Sequence, residues 1–371
     1  MKPKSAVLIA LIFLIGCTDT RVIEKTGFIR SIAYDAASSK DDDKLLKLTI
    51  AIPKSNVKEV LLYTTTAKSS KEARKLFDRQ NNRKIVNGQL RQVLFGEKMA
   101  RRGVWSHIDT LVRDPSIGNR VHVLVVEGDA EKLLSRKLPQ GSGVGEYIDD
   151  LIRTESKFNE IPNSNLYTFI RDYYDDGIDP VAPLIKESKN SLILTGIALF
   201  KKDQYVAKIK PEDMIYFAFL GDSSMNSGDL NMALNNKGGQ SEEVALLFIS
   251  SRRKVNIVSG DTFLRGEKLK VSIDVSVKGS LLEYSGALNL NNDSDQKKLE
   301  SAMSHKIQEK CQSIITIMQK NKVDSLGIGQ YARNLIPYKE WVKLPWENIL
   351  SEADITVHAH VEIKDYGRLQ Q

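Results

Sequence analysis

Residues 294–320 read SDQKKLESAMSHKIQEKCQSIITIMQK, and the spacing of their apolar side chains decides the fold. Leu299, Met303, Ile307, Cys311, Ile314, Ile315 and Met318 recur every three or four positions, the period that aligns one face of an α-helix. A stripe that long needs an apolar surface to cover. The flanking sequence supplies one, with strands expected near Glu243–Ile249, Lys254–Val258, Leu269–Val277 and Ile355–Ile363 and a second helix near Ile328–Leu335. Strand runs around one long amphipathic helix predict a multi-domain α+β protein with mixed or antiparallel sheets and packed helices. Cys311 falls on the stripe, so it reads as a small core hydrophobe.

Working outward, strands are expected at Thr26–Tyr34, Leu45–Ile52, Val57–Thr66, Gln89–Phe95 and Val121–Glu127. Pro53 should end the pairing of the second. Helical spacing covers Ser69–Asp78, with Ser70 as its cap, and then Glu97–Arg102 and Trp105–Arg113. Leu138-Pro139-Gln140-Gly141-Ser142-Gly143 marks a first boundary. Helices at Gly145–Lys157 and Leu166–Tyr174 follow, then a loop at Asp175-Asp176-Gly177 and Asp179-Pro180. A hairpin comes next, from Leu192–Phe200 through a turn to Tyr205–Ile209. Residues 221–239, rich in Gly, Asn, Ser and Asp, read as a flexible second boundary. The expected domains are 26–137, 138–222 and 223–371.

The N-terminus carries its own signal. Lys2 and Lys4 precede a ten-residue apolar run, Ala6 to Ile15, too short for a bilayer span of about twenty residues and suited to a signal peptide. It ends in Leu14-Ile15-Gly16-Cys17, the pattern of a bacterial lipobox. A thiolate is readily alkylated by a diacylglyceryl group, and a small Gly16 lets a peptidase close on the bond before it. The expectation is removal of 1–16, a lipid-modified Cys17 with palmitate-type chains, and a tether over 17–25. Two acyl chains suffice for lasting attachment, so the body belongs on the outer face of the plasma membrane.

The net charge is +7 and falls to +5 once Lys2 and Lys4 are removed. Read as spread along the chain, that excess suits an anionic membrane surface and gives no case for nucleic acid. Arg252-Arg253-Lys254 reads as a solvated strand end. With Cys17 acylated, Cys311 lacks a cysteine partner within the chain.

No catalytic constellation stands out. His358 and His360 could share a metal on one strand face, but alternation with Ile355, Val357, Ala359, Val361 and Ile363 explains them as the polar side of an amphipathic strand. Gly141-Ser142-Gly143-Val144-Gly145 imitates a phosphate loop without the Lys-Ser/Thr that should follow. Asp149-Asp150 and Asp175-Asp176 are sequence neighbours whose side chains diverge on a helix. His107, His122 and His305 are scattered. Tyr338, Trp341 and Trp346 could form a recognition surface or a cap on the C-terminal sheet, the second being the expectation. No cofactor and no metal are expected.

Several segments together resemble the Ger(x)C family, the lipoprotein C subunits of spore nutrient-germinant receptors. They are Cys17-Thr18-Asp19-Thr20-Arg21-Val22-Ile23-Glu24, Gly96-Glu97-Lys98-Met99-Ala100-Arg101-Arg102-Gly103, Leu111-Val112-Arg113-Asp114-Pro115 and the run Val121–Glu127. Further on come Leu194 to Asp203 and Gly327-Ile328-Gly329-Gln330-Tyr331-Ala332-Arg333 with Trp341 and Trp346. The family often places a tryptophan directly after the lipidated cysteine, where this chain has Thr18. The resemblance implies a non-enzymatic, three-domain α+β lipoprotein on the outer surface of the spore's inner membrane. It implies assembly with two membrane subunits, A and B, in a response to nutrients, and supplies no ligand-binding residues. The residues alone leave open a lipid-anchored extracytoplasmic solute-binding protein, and behind it an envelope hydrolase.

Overall fold

The computed structural model describes residues 26–37, 45–54, 59–139, 143–157, 161–222, 228–235 and 241–366. The chain begins with β1 (Thr26–Phe28), β2 (Ser31–Ala36), β3 (Leu46–Pro53) and β4 (Val60–Ala67), followed by α1 (Ser70–Gln80). Next come β5 (Lys84–Val86), β6 (Gln92–Gly96), α2 (Glu97–Arg102), α3 (Trp105–Val112), β7 (His122–Val126) and α4 (Ala130–Leu134). Then follow α5 (Val144–Lys157), α6 (Leu166–Tyr174), β8 (Val181–Glu187), β9 (Leu192–Lys201), β10 (Gln204–Ile209) and α7 (Met214–Leu220). The last part holds β11 (Leu230–Asn235), β12 (Ser241–Ile257), β13 (Lys270–Tyr284), α8 (Asp293–Asn321), α9 (Ile328–Arg333), α10 (Tyr338–Trp341), α11 (Trp346–Glu352) and β14 (Asp354–Asp365).

These elements make an α+β protein built on two principal sheets. The larger has eight strands in the order β10-β9-β8-β7-β6-β2-β3-β4. Its centre is parallel (β8, β7, β6, β2) and its flanks are antiparallel. Parallel strands are buried on both faces, and the side chains divide accordingly. Val93, Phe95, Val123 and Val125 point to a core closed by α1, α2, α3 and α6, while Leu94, Leu124 and Val126 point to a core closed by α4 and α5. This sheet draws strands from both 26–137 and 138–222. Ser69, not Ser70, caps α1, its Oγ accepting from Glu72 N–H at 3.2 Å. Ser70 Oγ instead lies 3.5 Å from His107 Nδ1.

The second sheet runs β11-β12-β13-β14, with only the β13–β14 pair parallel. The helix expected over 294–320 is α8. It presents all seven stripe residues to the core, including a fully buried Cys311. Burial drives the Cys311 thiol pKa up, so it stays protonated and inert. Polar side chains on α8 cover the free edge of β14: Val357 N–H donates to Gln312 Oε1 at 3.1 Å, Val361 N–H to Ser304 Oγ at 2.9 Å and Ile363 N–H to Glu300 Oε1 at 2.8 Å. An edge so covered offers no ladder to another chain.

Two expectations change here. The two strands expected at 243–249 and 254–258 are the single β12, bent by a bulge between Leu247 and Ser250 where Phe248 takes a left-handed φ of 53°. The extra residue reverses the inward parity: Val244 and Leu246 face in before it, Ile249, Ser251 and Val255 after it. The 221–239 stretch also contains a strand, β11, whose Leu230, Met232 and Leu234 are buried alternately. Among the described residues no helix is long and apolar enough to cross a membrane.

Candidate functional site

The feature that most concentrates buried polar chemistry is the junction where the loop after α6 meets the start of α9. Asp324 is 2% exposed. Its Oδ1 accepts from Ile328 N–H at 2.9 Å, and its Oδ2 accepts from Gly329 N–H at 2.6 Å and from Trp346 Nε1–H at 3.1 Å. Gly327, at φ 70°, turns the chain so that the first N–H groups of α9 converge on that carboxylate. Asp324 and Asp179 then clasp each other through one backbone–backbone and one backbone–carboxylate hydrogen bond. Asp179 N–H donates to Asp324 O, and Asp324 N–H to Asp179 Oδ2, both at 2.8 Å. Lys202 N–H completes Asp179 at 3.0 Å.

Around this clasp the halves approach closely. A Cβ on Gly329 would lie 2.8 Å from Gly177 Cα and 2.8 Å from Trp346 Nε1, and a Cβ on Gly177 would lie 2.6 Å from Gln330 N. Both positions therefore need glycine. Asp175 receives Arg333 Nη1 at 2.9 Å and Gln330 Nε2 at 3.0 Å, and Tyr338 Oη donates to Asp176 Oδ2 at 2.9 Å. From the β12 side, Arg253 Nη1 donates to Leu220 O at 2.7 Å and Leu326 O at 2.9 Å, with its side chain only 3% exposed. The solvated strand end expected at 252–254 thus holds for Arg252 and Lys254 and fails for Arg253, which the β12 bulge turns inward.

Burial dominates the electrostatics. It pushes Asp324 up to about 7 despite the N–H donors that favour its anion, and it raises Asp179 as well. Asp175, less buried, is held below the usual carboxylate range because hydrogen bonds from Gly177, Arg333 and Gln330 outweigh its desolvation. Beside the junction opens a cleft of about 1040 Å³, with Arg91, Arg120, His122, Asn165 and Ser325 among its walls. Ser325 Oγ is buried without a hydrogen-bond partner.

The other candidates resolve individually. Leu14, Ile15, Gly16 and Cys17 lie outside the described residues. His358 and His360 are exposed on the polar face of β14, opposite Asp274 and Ser276 of β13, while the apolar alternates Val357 and Val361 are buried. No group of three metal-ligating side chains exists among the described residues. Gly145 lets α5 press onto β2 and β6, where Gln92 Nε2 donates to its carbonyl at 2.8 Å and to Ser31 Oγ at 2.6 Å. Trp341 and Trp346 are buried with ring centroids 5.0 Å apart, so the cap expectation holds for the two tryptophans and fails for Tyr338, which is 60% exposed. Asp324 and Asp179 carried no sequence signal of their own. The nearest hint was the company they keep, an Asp-Asp-Gly loop and a Gly-Ile-Gly turn.

Comparison with known proteins covers nearly the whole chain. Residues 19–187 match a family described as spore germination protein N-terminal domain, and residues 195–367 match spore germination B3/GerAC like, C-terminal. The spore germination protein GerQC of Bacillus cereus is 26% identical, over 97% of each chain. The putative spore germination protein YfkR of Bacillus subtilis (strain 168) is 24% identical, over 98% of this chain and 96% of that one. The crystal structure of the GerBC protein superposes with a TM-score of 0.54 at 17% identity, covering 90% of this chain and 97% of that one.

Proposed function

The chain belongs to the Ger(x)C family of spore germination proteins, and from that premise we propose that it is the lipid-anchored C subunit of a nutrient-germinant receptor. In this reading Cys17 carries the acyl chains on the outer face of the spore's inner membrane. The body assembles there with the multi-pass A and B subunits and takes part in nutrient-triggered exit from dormancy without catalysing a reaction. The observation that carries it is the match of both family domains, in order, across 19–187 and 195–367. Anchoring raises the effective concentration of the body near its partners without any new contact.

The test is co-purification of the tagged, lipidated protein from detergent-solubilised spore membranes. Recovery with two multi-pass subunits supports the proposal, and recovery alone sinks it. The cleft beside the junction favours one second reading, direct capture of a small solute. A bound nutrient would then raise the melting temperature of the purified protein, and further as its concentration is raised. Flat melting curves across the germinant panel would eliminate that reading and leave the first untouched.

A further inference from the structure

The basic excess, read from the sequence as dispersed, is concentrated in one segment. Between Lys68 and Lys84 seven Lys or Arg side chains stand against two acids, Glu72 and Asp78, a local net charge of +5 that matches the entire chain after loss of Lys2 and Lys4. The fold gathers this charge onto one surface. Helix α1 buries Ala73 and Phe77, which leaves Lys71, Lys75 and Arg79 exposed, and Lys84 is exposed on β5. Arg74 is the member drawn inward, donating to Ile85 O at 2.8 Å and lying 3.9 Å from Asp114.

The position of this surface gives it a partner. Strand β1 runs parallel to β5 with Thr26 opposite Lys84, and a Cβ on Gly27 would lie 3.8 Å from Arg83 Cβ. The chain therefore enters the folded body beside the basic face. From Cys17 to Thr26 is nine residues, a reach of about 30 Å at full extension and less otherwise. We infer that the α1–β5 face docks on an anionic lipid surface and fixes the orientation of the body against the bilayer. The proposal rests on the Cys17 anchor only for the approach to the membrane. Each exposed Lys or Arg near such a surface adds an attraction that decays within a Debye length, about 10 Å at 0.1 M salt.

The probe is vesicle co-sedimentation with the unlipidated chain Thr18–Gln371, which keeps every described residue. Vesicles of phosphatidylcholine with and without 30% phosphatidylglycerol are compared at about 0.1 M salt. Wild type should bind only the anionic vesicles and release them as salt rises. The variant Lys71→Gln/Lys75→Gln/Arg79→Gln/Lys84→Gln, with an unchanged melting temperature, should lose about 100-fold or more in partitioning. Equal binding by the variant, or no binding by wild type, overturns the inference. Retention on an immobilised polyanion without vesicle binding also overturns it and gives the face to an acidic macromolecule. Lipidation is read separately, from the mass of the N-terminal peptide of membrane-extracted protein, so failure of the anchor and failure of the docking face are distinguishable.

Discussion

A carboxylic acid as deeply buried as Asp324 must either be ionised and fully bonded or hold its proton, and the surrounding groups pull both ways. Burial favours the neutral form, and the N–H groups of Ile328, Gly329 and Trp346 favour the anion, with burial the larger effect. The folded pKa of about 7 stands above the 3.8 of an ordinary aspartate. Between those limits the folded state keeps a proton that the unfolded chain has released. The stability due to this group is therefore complete below about pH 4 and lost as pH rises through about 7. Asp324→Asn fixes a neutral side chain but turns Nδ2 toward N–H donors, which costs about 2 kcal/mol or more. Urea midpoints for wild type and variant at pH 4.5 and pH 8 should show the gap narrowing as pH rises. A gap that widens would mean that the three donors outweigh burial and keep the carboxyl ionised.

At the scale of elements, α8 does two jobs on two faces. Its apolar stripe closes the core of the second sheet, and Glu300, Ser304 and Gln312 satisfy the outer edge of β14. Ile307→Ala removes a fully buried side chain and should cost about 2–5 kcal/mol. His305→Ala, on the exposed face of the same turn, should stay within about 0.5 kcal/mol. Equal costs at the two positions, measured by chemical denaturation, would mean that α8 does not seat as described. The stripe was legible because a period of 3.6 held from Leu299 to Met318, about five and a half turns, has no competing explanation. So was β14, because strict alternation put Thr356, His358, His360 and Glu362 on the polar side. What failed was local. One bulge residue, Phe248, 75% exposed, reverses parity along β12, so the apolar pattern split into two strands and Arg253 was assigned to solvent. Strand β11 was hidden because its six residues sit among turn-forming neighbours. The junction was illegible for a different reason: Asp179 and Asp324 are 145 positions apart, and no period links residues that meet only in the folded chain.

Over the whole molecule, that junction determines whether the protein behaves as one body or two. One apolar core runs unbroken from Leu133 and Ile148 beneath the large sheet, through Phe217 and Leu220 of α7, to Met303 and Ile307 of α8. The Asp324–Asp179 clasp, the Arg333–Asp175 pair and the Gly177–Gly329 contact lie on the same seam. A core shared across the seam predicts a single cooperative unfolding transition for wild type. Gly329→Ala tests the coupling with the smallest change available. Its new Cβ must displace Gly177 backbone or the Trp346 indole, a strain of about 1–3 kcal/mol borne by the seam and by neither sheet. Calorimetry should then resolve two transitions, with the second sheet and α8 melting first, while far-ultraviolet circular dichroism at 20 °C stays unchanged. One transition shifted bodily downward would show that the shared apolar core alone carries the coupling. In the proposed receptor the distinction has a consequence. With the body docked at its α1–β5 face, a shift passes between the eight-stranded sheet and the second sheet only through a stiff seam, so a variant with two transitions should still assemble yet respond poorly to nutrient.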